Sequence, residues 1–192
     1  MERLAIYCGS VAPDPSYAEL AQHVGETLAR RGIGIVYGGG RLGLMGILAN
    51  AALAVGGEVI GVIPEALVNA ELAHVGLTRL EIVQTMHERK ARFTELSDGF
   101  VTLPGGTGTM DELWEAMSWA QLGYHAMPVG VLNHNGFYDG LIEFNRHMGE
   151  VGFVRAQHRD LLIDAPDLDG LLDKMAGFTP SRPITRLSRD EL

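Results

Sequence analysis

Several features are scarce in this 192-residue chain, and each scarcity excludes a class of protein. The single cysteine, Cys8, cannot form a disulfide within the chain, which favours a reducing compartment, so we expect a cytoplasmic protein. No apolar run approaches the roughly 20 residues that span a bilayer, so no membrane association is expected. The chain enters a strand-like run near its first residue, so we also expect no signal peptide.

Basic residues are few as well, because 15 lysines and arginines stand against 24 acidic residues and the formal net charge is −9. Proteins that bind long nucleic acids usually carry a basic stripe, and this sequence has none, so we expect no nucleic-acid partner. Only Lys90 and Lys174 could form a Schiff base with pyridoxal phosphate, and neither has a convincing setting. The seven histidines lack the spacing of metal ligands, so neither a metal site nor a redox cofactor is expected.

The chain is rich in continuously apolar runs that alternate with helical stretches. The apolar runs predict strands at residues 4–8, 34–37, 58–63, 80–84, 100–103, 128–132 and 161–163. The intervening patterns predict helices at residues 16–30, 44–55, 86–96, 108–122, 138–151 and 168–175. Strands that are apolar throughout are typical of a parallel sheet covered by helices on both faces. We therefore predict one α/β domain, a Rossmann-like doubly wound parallel sheet over residues 1–178, followed by a loosely ordered polar tail over residues 179–192.

The strongest functional signal is the loop P-G-G-T-G-T at residues 104–109, between a predicted strand and a predicted helix. Ligands of doubly wound sheets bind beyond the carboxyl ends of the strands, where such loops lie. Glycines let the backbone approach an anion, and the free N–H groups of a helix start point toward it. Three glycines and two threonines exceed what a tight turn needs, so the loop predicts a phosphate site; an ordinary capped turn is the alternative.

Glu112 follows this loop and has two interpretations. Thr109 and Glu112 match the T-x-x-E capping box, in which both side chains satisfy N–H groups at a helix start. A carboxylate near a phosphate site can instead act as a catalytic group, and the spacing alone does not separate the two roles. The helix is apolar on two sides, so we expect a second subunit to cover the side that carries Glu112.

Arg89 lies on the face of its predicted helix that carries Met86 and Phe93, toward the carboxyl edge of the sheet. A guanidinium there either pairs with an acid as part of the structure or binds an anionic ligand, and both roles stay open. Lys90 is expected to point elsewhere, into solvent.

The loop G-G-G-R-L-G at residues 38–43 formally matches the dinucleotide fingerprint. The acid about twenty residues further on, Glu58, begins a strand rather than ending one, which disfavours NAD binding. Close approach by a ligand or by neighbouring backbone explains these glycines, and simple packing remains an alternative.

Together these motifs resemble the LONELY GUY (LOG) family, whose members are cytokinin-activating nucleoside 5′-monophosphate phosphoribohydrolases. The resemblance rests on P-G-G-x-G-T-x-x-E at residues 104–112 and M-x-x-R-K at 86–90, supported by C-G-S at 8–10, G-G-G at 38–40, G-L-M-G at 43–46 and W-A-Q-L-G at 119–123. It extends from about Leu4 to Met175. The sequence departs at Thr107, where members often carry tyrosine, and at Val11, where a second serine is common.

The resemblance implies a hydrolase that cleaves the N-glycosidic bond of cytokinin riboside 5′-monophosphates, and of AMP, to give free base and ribose 5-phosphate without a cofactor. Arg89 and Glu112 would be the catalytic pair. The remaining implied substrate-binding residues are Ser10, Gly39, Gly40, Met86, Gly105, Gly106, Thr107, Gly108 and Thr109. Family members form dimers, some of which assemble into hexamers, so a homo-oligomer is expected.

Two other functions remain as alternatives to this hypothesis. One is a nucleosidase that acts on other purine or pyrimidine monophosphates. The other is a non-catalytic nucleotide or molybdenum-cofactor carrier on the same fold, which the presence of both Arg89 and Glu112 disfavours.

Overall fold

The computed structural model describes residues 1–68 and 73–184. Its strands are β1 (Arg3–Tyr7), β2 (Gly34–Tyr37), β3 (Val59–Pro64), β4 (Arg79–Val83), β5 (Phe100–Thr102), β6 (Val129–Leu132) and β7 (Leu162–Ala165). Its α-helices are α1 (Pro15–Arg30), α2 (Gly43–Ala54), α3 (Glu65–Val68), α4 (Met86–Leu96), α5 (Thr107–Leu122), α6 (Asp139–Glu150) and α7 (Leu168–Ala176). Short 3-10 helices occupy His134–Gly136 and Ala156–His158. Within these two described stretches, no helix has both the length and the apolar character needed to cross a membrane.

The strands form one parallel sheet in the order β4-β3-β2-β1-β5-β6-β7. The chain builds outward from β1 to β4 and then returns to add β5 on the other side of β1. This order confirms the predicted doubly wound fold, and each predicted strand and helix is present with ends shifted by no more than two residues. The switch in direction places a crevice at the carboxyl ends of β1 and β5, where such folds bind ligands.

Two apolar layers cover the two faces of the sheet, as the alternation of side chains along β1 illustrates. Leu4 and Ile6 pack into the layer that contains α1, α2 and α7. Ala5 and Tyr7 pack into the opposite layer, which contains side chains of α4 and α5. The helices of both layers therefore start at the carboxyl edge of the sheet, because each follows the carboxyl end of its strand.

The first residues of the predicted tail contact the domain. The Ile184 N–H donates to the Gln121 carbonyl at 2.8 Å, and Gln157 Nε2 donates to the Arg182 carbonyl at 2.6 Å. The rest of the tail, residues 185–192, lies outside the described residues. The boundary at residue 178 stays a prediction.

Candidate active site

A cavity of about 360 Å³ lies beside the carboxyl ends of β1, β2 and β5. Its lining comes from four separate stretches of the chain: Ile6, Cys8, Gly9, Ser10, Gly38, Met45, Arg89, Gly106, Thr107, Gly108, Thr109 and Glu112. The structure thus brings together seven predicted site residues: Ser10, Arg89, Gly106, Thr107, Gly108, Thr109 and Glu112.

The start of α5 forms one wall of this cavity. Gly106 is the N-cap with an extended backbone (φ −97°, ψ −156°), and Thr107, Gly108 and Thr109 are the first helical residues. An α-helix leaves the N–H groups of its first residues without an acceptor in its own ladder, and the helix dipole adds partial positive charge there. This wall can therefore bind an anion through backbone donors.

Gly105 supports this wall from behind. A Cβ on Gly105 would lie 2.2 Å from Thr109 Oγ1, so the buried Thr109 side chain occupies the space that a larger residue would need. Gly105 does not line the cavity itself. Its glycine is explained by close packing with Thr109.

Glu112 lies on the second turn of α5, which makes the capping-box interpretation wrong. That box requires Thr109 as the N-cap, but the N-cap is Gly106, which makes no side-chain cap hydrogen bond, and the helix begins at Thr107. Glu112 is therefore six residues beyond the cap rather than three. Its carboxylate faces the cavity instead.

Arg89 reaches the cavity from α4, on the other side. Arg89 is 5% exposed, and the main chain holds its guanidinium, since Nε donates to the Val62 carbonyl at 3.1 Å and Nη2 to the Gly38 carbonyl at 3.2 Å. The same Nη2 lies 3.8 Å from Glu112 Oε1. Both roles left open for Arg89 are thus compatible with its position, because it is tied to the fold and also lines the cavity.

Met86 begins α4 but lies outside the cavity lining. A capping arrangement stabilises this helix start: Thr85 Oγ1 accepts from the Glu88 N–H at 3.1 Å, and Glu88 Oε2 accepts from the Gln84 N–H at 2.8 Å. This T-x-x-E pattern, rather than the one on α5, caps a helix.

Gly38 is a glycine because Arg89 occupies the place of its side chain. A Cβ on Gly38 would lie 2.1 Å from Arg89 Nη2. Gly43 has a positive φ of 56°, and a Cβ there would lie 2.2 Å from the carbonyl carbon of Ser10. These glycines therefore allow close approach by neighbouring protein groups, one of the interpretations offered for the loop.

Gly39 and Gly40, which the resemblance implied to be substrate-binding, do not line the cavity. Gly39 has a positive φ of 75° and its carbonyl accepts from the His74 N–H at 2.9 Å. Gly40 forms an isolated antiparallel bridge with Ala73, and its carbonyl accepts from the Tyr37 hydroxyl at 3.2 Å.

Glu58, the acid of the dinucleotide fingerprint, lies just before β3 at the amino edge of the sheet. Its carboxylate accepts from Arg3 Nε at 2.7 Å and from Arg3 Nη2 at 3.2 Å. A ribose-binding acid belongs at the opposite edge, which supports the prediction against NAD.

Lys90 does not point freely into solvent, so that expectation was wrong. Its Nζ lies 2.5 Å from Glu115 Oε2 and 3.2 Å from Asp111 Oδ2, which ties α4 to α5. Burial alone would lower the pKa of Lys90, but the hydrogen bonds and charges of Glu115 and Asp111 outweigh it and raise the pKa. Lys174 Nζ donates to the Asp164 carbonyl at 2.6 Å.

The predicted site residues did not include five that line the cavity: Ile6, Cys8, Gly9, Gly38 and Met45. Cys8 and Gly9 follow β1 directly, so their position after a central strand could have identified them. Burial, reinforced by the nearby charge of Glu112, raises the pKa of the Cys8 thiol. The thiol is therefore a neutral wall of the cavity at physiological pH.

Comparison with known proteins agrees with this geometry. A family model described as "Possible lysine decarboxylase" matches residues 45–175. The probable cytokinin riboside 5′-monophosphate phosphoribohydrolase LOGL1 of Oryza sativa subsp. japonica is 43% identical over 180 residues, covering 93% of this chain and 81% of that protein. The cytokinin riboside 5′-monophosphate phosphoribohydrolase of Rhodococcoides fascians is 43% identical over 171 residues, covering 88% of this chain and 86% of that protein.

Among solved structures, the molybdenum cofactor carrier protein of Chlamydomonas reinhardtii has a TM-score of 0.68 at 18% identity, with 91% of this chain and 96% of that chain covered. Similarity at that identity shows a shared fold alone. The identity to phosphoribohydrolases is much higher and spans nearly the whole chain. This chain therefore belongs to the LOG family of cytokinin riboside 5′-monophosphate phosphoribohydrolases, which are N-glycosidases.

Proposed function

We propose that this protein hydrolyses the bond between the purine N9 and ribose C1′ of cytokinin riboside 5′-monophosphates, and also of AMP. The products are the free base and ribose 5-phosphate. The observation that carries the proposal is that the anion-binding start of α5 and the Arg89–Glu112 pair line one cavity. Family membership supports the same reaction.

In this proposal the 5′-phosphate binds to the backbone N–H groups at residues 106–109. The helix start is suited to a dianion because its donors and its dipole both favour negative charge. Ser10, on the loop after β1, faces the same space and offers a hydroxyl donor. Anchoring the phosphate fixes where the sugar lies, which lowers the entropic part of the barrier.

Glu112 would act at the sugar. An α-helix rises 1.5 Å per residue, so the axial rise from Gly108 to Glu112 is about 6 Å. In this proposal the carboxylate lies beside the ribose of a nucleotide whose phosphate occupies the helix start. Cleavage of the glycosidic bond builds positive charge on the sugar, which a carboxylate stabilises, and the same group can accept a proton from the attacking water.

Arg89 would orient Glu112 and the substrate. Two main-chain carbonyls hold its guanidinium in place, so it acts from a fixed position. Its Nη2 lies 3.8 Å from the Glu112 carboxylate, close enough to stabilise that charge, and both residues line the cavity in which a ligand would bind.

Glu112→Gln tests the catalytic assignment. The variant keeps the size of the side chain and removes its charge, so we expect base release from isopentenyladenosine monophosphate to fall by about 10²–10⁴-fold. Thermal unfolding should show an intact fold, since Glu112 does not cap α5. Wild-type turnover in a folded Gln variant would refute the assignment.

Arg89→Lys and Arg89→Ala separate two possible contributions. Lysine keeps a positive charge but cannot bond both carbonyls with the geometry of a guanidinium. We expect reduced kcat/KM in both variants, with the larger loss in the alanine variant. Full activity in both would leave Arg89 a structural residue only.

The proposal that AMP is a substrate requires a separate assay. Purified protein is incubated with AMP, isopentenyladenosine monophosphate and a pyrimidine monophosphate, and released base is quantified. Release of adenine supports the AMP proposal, whereas release of the prenylated base alone would restrict the substrate class.

The proposal extends to a homodimer in the cytoplasm. Ile82 on the edge strand β4 and Met86 at the start of α4 are exposed apolar side chains, and a second subunit would cover them. His87 contacts the Trp119 ring with centroids 6.4 Å apart, which links this surface to the end of α5. Light scattering would distinguish monomer from dimer, and the polar variant Ile82→Lys should shift the balance toward monomer.

A further inference from the structure

A second cavity of about 300 Å³ adjoins the first. Its side-chain walls are apolar or aromatic: Val11, Pro13, Tyr17, Leu44, Pro104 and Phe137. Its remaining lining consists of Gly9, Ser10, Gly105 and Gly106. Gly9, Ser10 and Gly106 line both cavities, so these three residues form a saddle between them.

We propose that the second cavity binds an aromatic or apolar group that is esterified to the phosphate of the ligand. The site would then accept nucleoside 5′-phosphodiesters as ligands, in addition to monoesters. This inference rests on the proposed function for the position of the phosphate.

The positions of the lining residues decide which part of a nucleotide can enter the second cavity. Arg89 and Glu112 line the first cavity and not the second, whereas Pro104 and Gly105 line the second and not the first. A nucleotide with its phosphate at the start of α5 and its sugar beside Glu112 directs its base away from the saddle. Only a group carried on another phosphate oxygen can cross toward Pro104.

The chemistry of the lining decides the class of that group. None of the residues that line the second cavity carries a charged side chain. A second phosphate, as in a nucleoside diphosphate, would lose its hydration there without gaining a cation. A flat or apolar group would instead bury surface against the ring of Phe137 and the side chains of Val11 and Leu44.

The aromatic wall is held in position before any ligand arrives. Phe137 is 42% exposed, yet its ring packs edge-on against Tyr138 and Tyr17, with centroids 4.8 and 5.9 Å apart. Tyr138 is itself buried, and its hydroxyl donates to the Leu103 carbonyl at 2.7 Å. A ring fixed in this way offers binding surface at a low entropic cost.

The saddle is equally well fixed. The Gly9 N–H donates to the Pro104 carbonyl at 3.2 Å, and the Leu44 N–H donates to the Gly9 carbonyl at 3.1 Å. Gly43 packs its backbone against Ser10 from below. These loops constrain one another, so main-chain hydrogen bonds hold the boundary between the cavities in position.

The methyl and phenyl 5′-phosphate esters of AMP test this inference. The two esters carry the same charge and the same nucleoside, and only the phenyl group is large enough to reach the second cavity. Binding is measured by calorimetry on protein that carries Glu112→Gln, so that hydrolysis is slow during the titration, with AMP as reference. We expect the phenyl ester to bind about tenfold or more tightly than the methyl ester, the gain typical of burying an aromatic ring.

Variants locate the effect. Phe137→Ala removes one wall and should bring the two esters to nearly equal affinity, whereas Phe137→Leu keeps an apolar side chain and should retain part of the difference. Phe153→Ala is the matched control, because Phe153 is 88% exposed and lines neither cavity, and it should retain the full ratio. Should Phe137→Ala fail to fold, Val11→Asp serves instead. Val11 is a mostly exposed lining residue of the second cavity, and a charge there should reduce the ratio of the phenyl-ester affinity to the methyl-ester affinity.

Three outcomes separate this inference from the proposed function. Equal affinity of the two esters for protein with Phe137 intact would overturn the inference, as would binding of AMP with neither ester. A ratio that survives in the Phe137→Ala variant would place the phenyl group elsewhere and would also overturn it. If neither AMP nor isopentenyladenosine monophosphate binds, the proposed function fails, a result distinct from any of these.

Discussion

Gly38→Ala should damage the active site although Gly38 makes no chemical contribution of its own. The added Cβ would lie 2.1 Å from Arg89 Nη2 and 3.2 Å from Met45 Sδ. A Cβ atom essentially never lies within 3.0 Å of another heavy atom, so a neighbour must move. Arg89 is buried and its guanidinium is bonded to the Gly38 carbonyl itself, so the substitution displaces the group that faces Glu112.

Two costs set the size of the effect on stability. Forcing an extra methyl group into a packed site costs about 1–3 kcal/mol. A lost hydrogen bond from a charged donor costs about 1.5–3 kcal/mol, although relaxation makes the two costs overlap. We therefore expect a net loss of about 1–3 kcal/mol, or about 2–12 °C in Tm for a domain of this size.

The effect on activity should be larger than the effect on stability. A displacement of about 1 Å in a positioned group can cost about 10²-fold in rate. Differential scanning fluorimetry and the kinetics of base release measure the two effects on the same preparation. Gly140→Ala is the matched control, because Gly140 lies in α6 with open space around its Cβ position, and it should gain about 0.5–1 kcal/mol. If the Gly38→Ala variant melted and turned over like wild type, Arg89 would not depend on Gly38 as argued here.

Two further predictions concern pH. Burial lowers the pKa of His74, whose Nε2 lies 3.0 Å from Asn50 Oδ1, so the folded state favours the neutral ring. The neutral ring therefore stabilises the folded protein above pH 6.5, the ordinary pKa of histidine, and this stabilisation is lost as the pH falls. The free energy of unfolding in urea should fall between pH 7 and 5 in wild type and should fall less in His74→Gln. Identical slopes of this free energy against pH in the two proteins would contradict the prediction. Hydrogen bonds from Arg92 lower the pKa of Glu81. The charged Glu81 therefore stabilises the folded protein above pH 4.5, the ordinary pKa of glutamate, and this stabilisation is lost as the pH falls below that value. Glu81→Gln should cost about 1 kcal/mol at pH 7 and progressively less below pH 4.5, and an undiminished cost at pH 3 would refute this.

The sheet and its helices could be predicted from the sequence because their signals are local. Continuous apolar runs such as Val59–Pro64 indicate strands buried on both faces, and the glycine-rich loop marks the start of α5. The exact start of that helix was not fixed by the sequence, so the capping-box interpretation of Glu112 stayed open until the fold excluded it. The T-x-x-E pattern occurs at both Thr85 and Thr109, but only Thr85 is the N-cap of its helix.

Contacts between distant parts of the chain could not be predicted in this way. Gly38 and Arg89 are 51 residues apart, and nothing near either residue indicates that one makes room for the other. Lys90 is similar, since its acidic partners lie on another helix. The sequence thus shows that position 38 is a glycine, but only the fold shows that Arg89 is the side chain that needs the space.

The two halves of the site depend on different parts of the protein, and this bears on substrate choice. In the proposed mechanism the phosphate would bind to backbone N–H groups, so threonine at position 107, where LOG proteins often carry tyrosine, leaves those donors in place. The side chains of Arg89 and Glu112 would act on the sugar whatever base it carries. Selection between prenylated and plain adenine must therefore come from surfaces beyond Glu112, on the side away from the saddle. The exposed Met86 lies at the start of the helix that carries Arg89, so the surface that a second subunit would cover is the place to seek that selectivity.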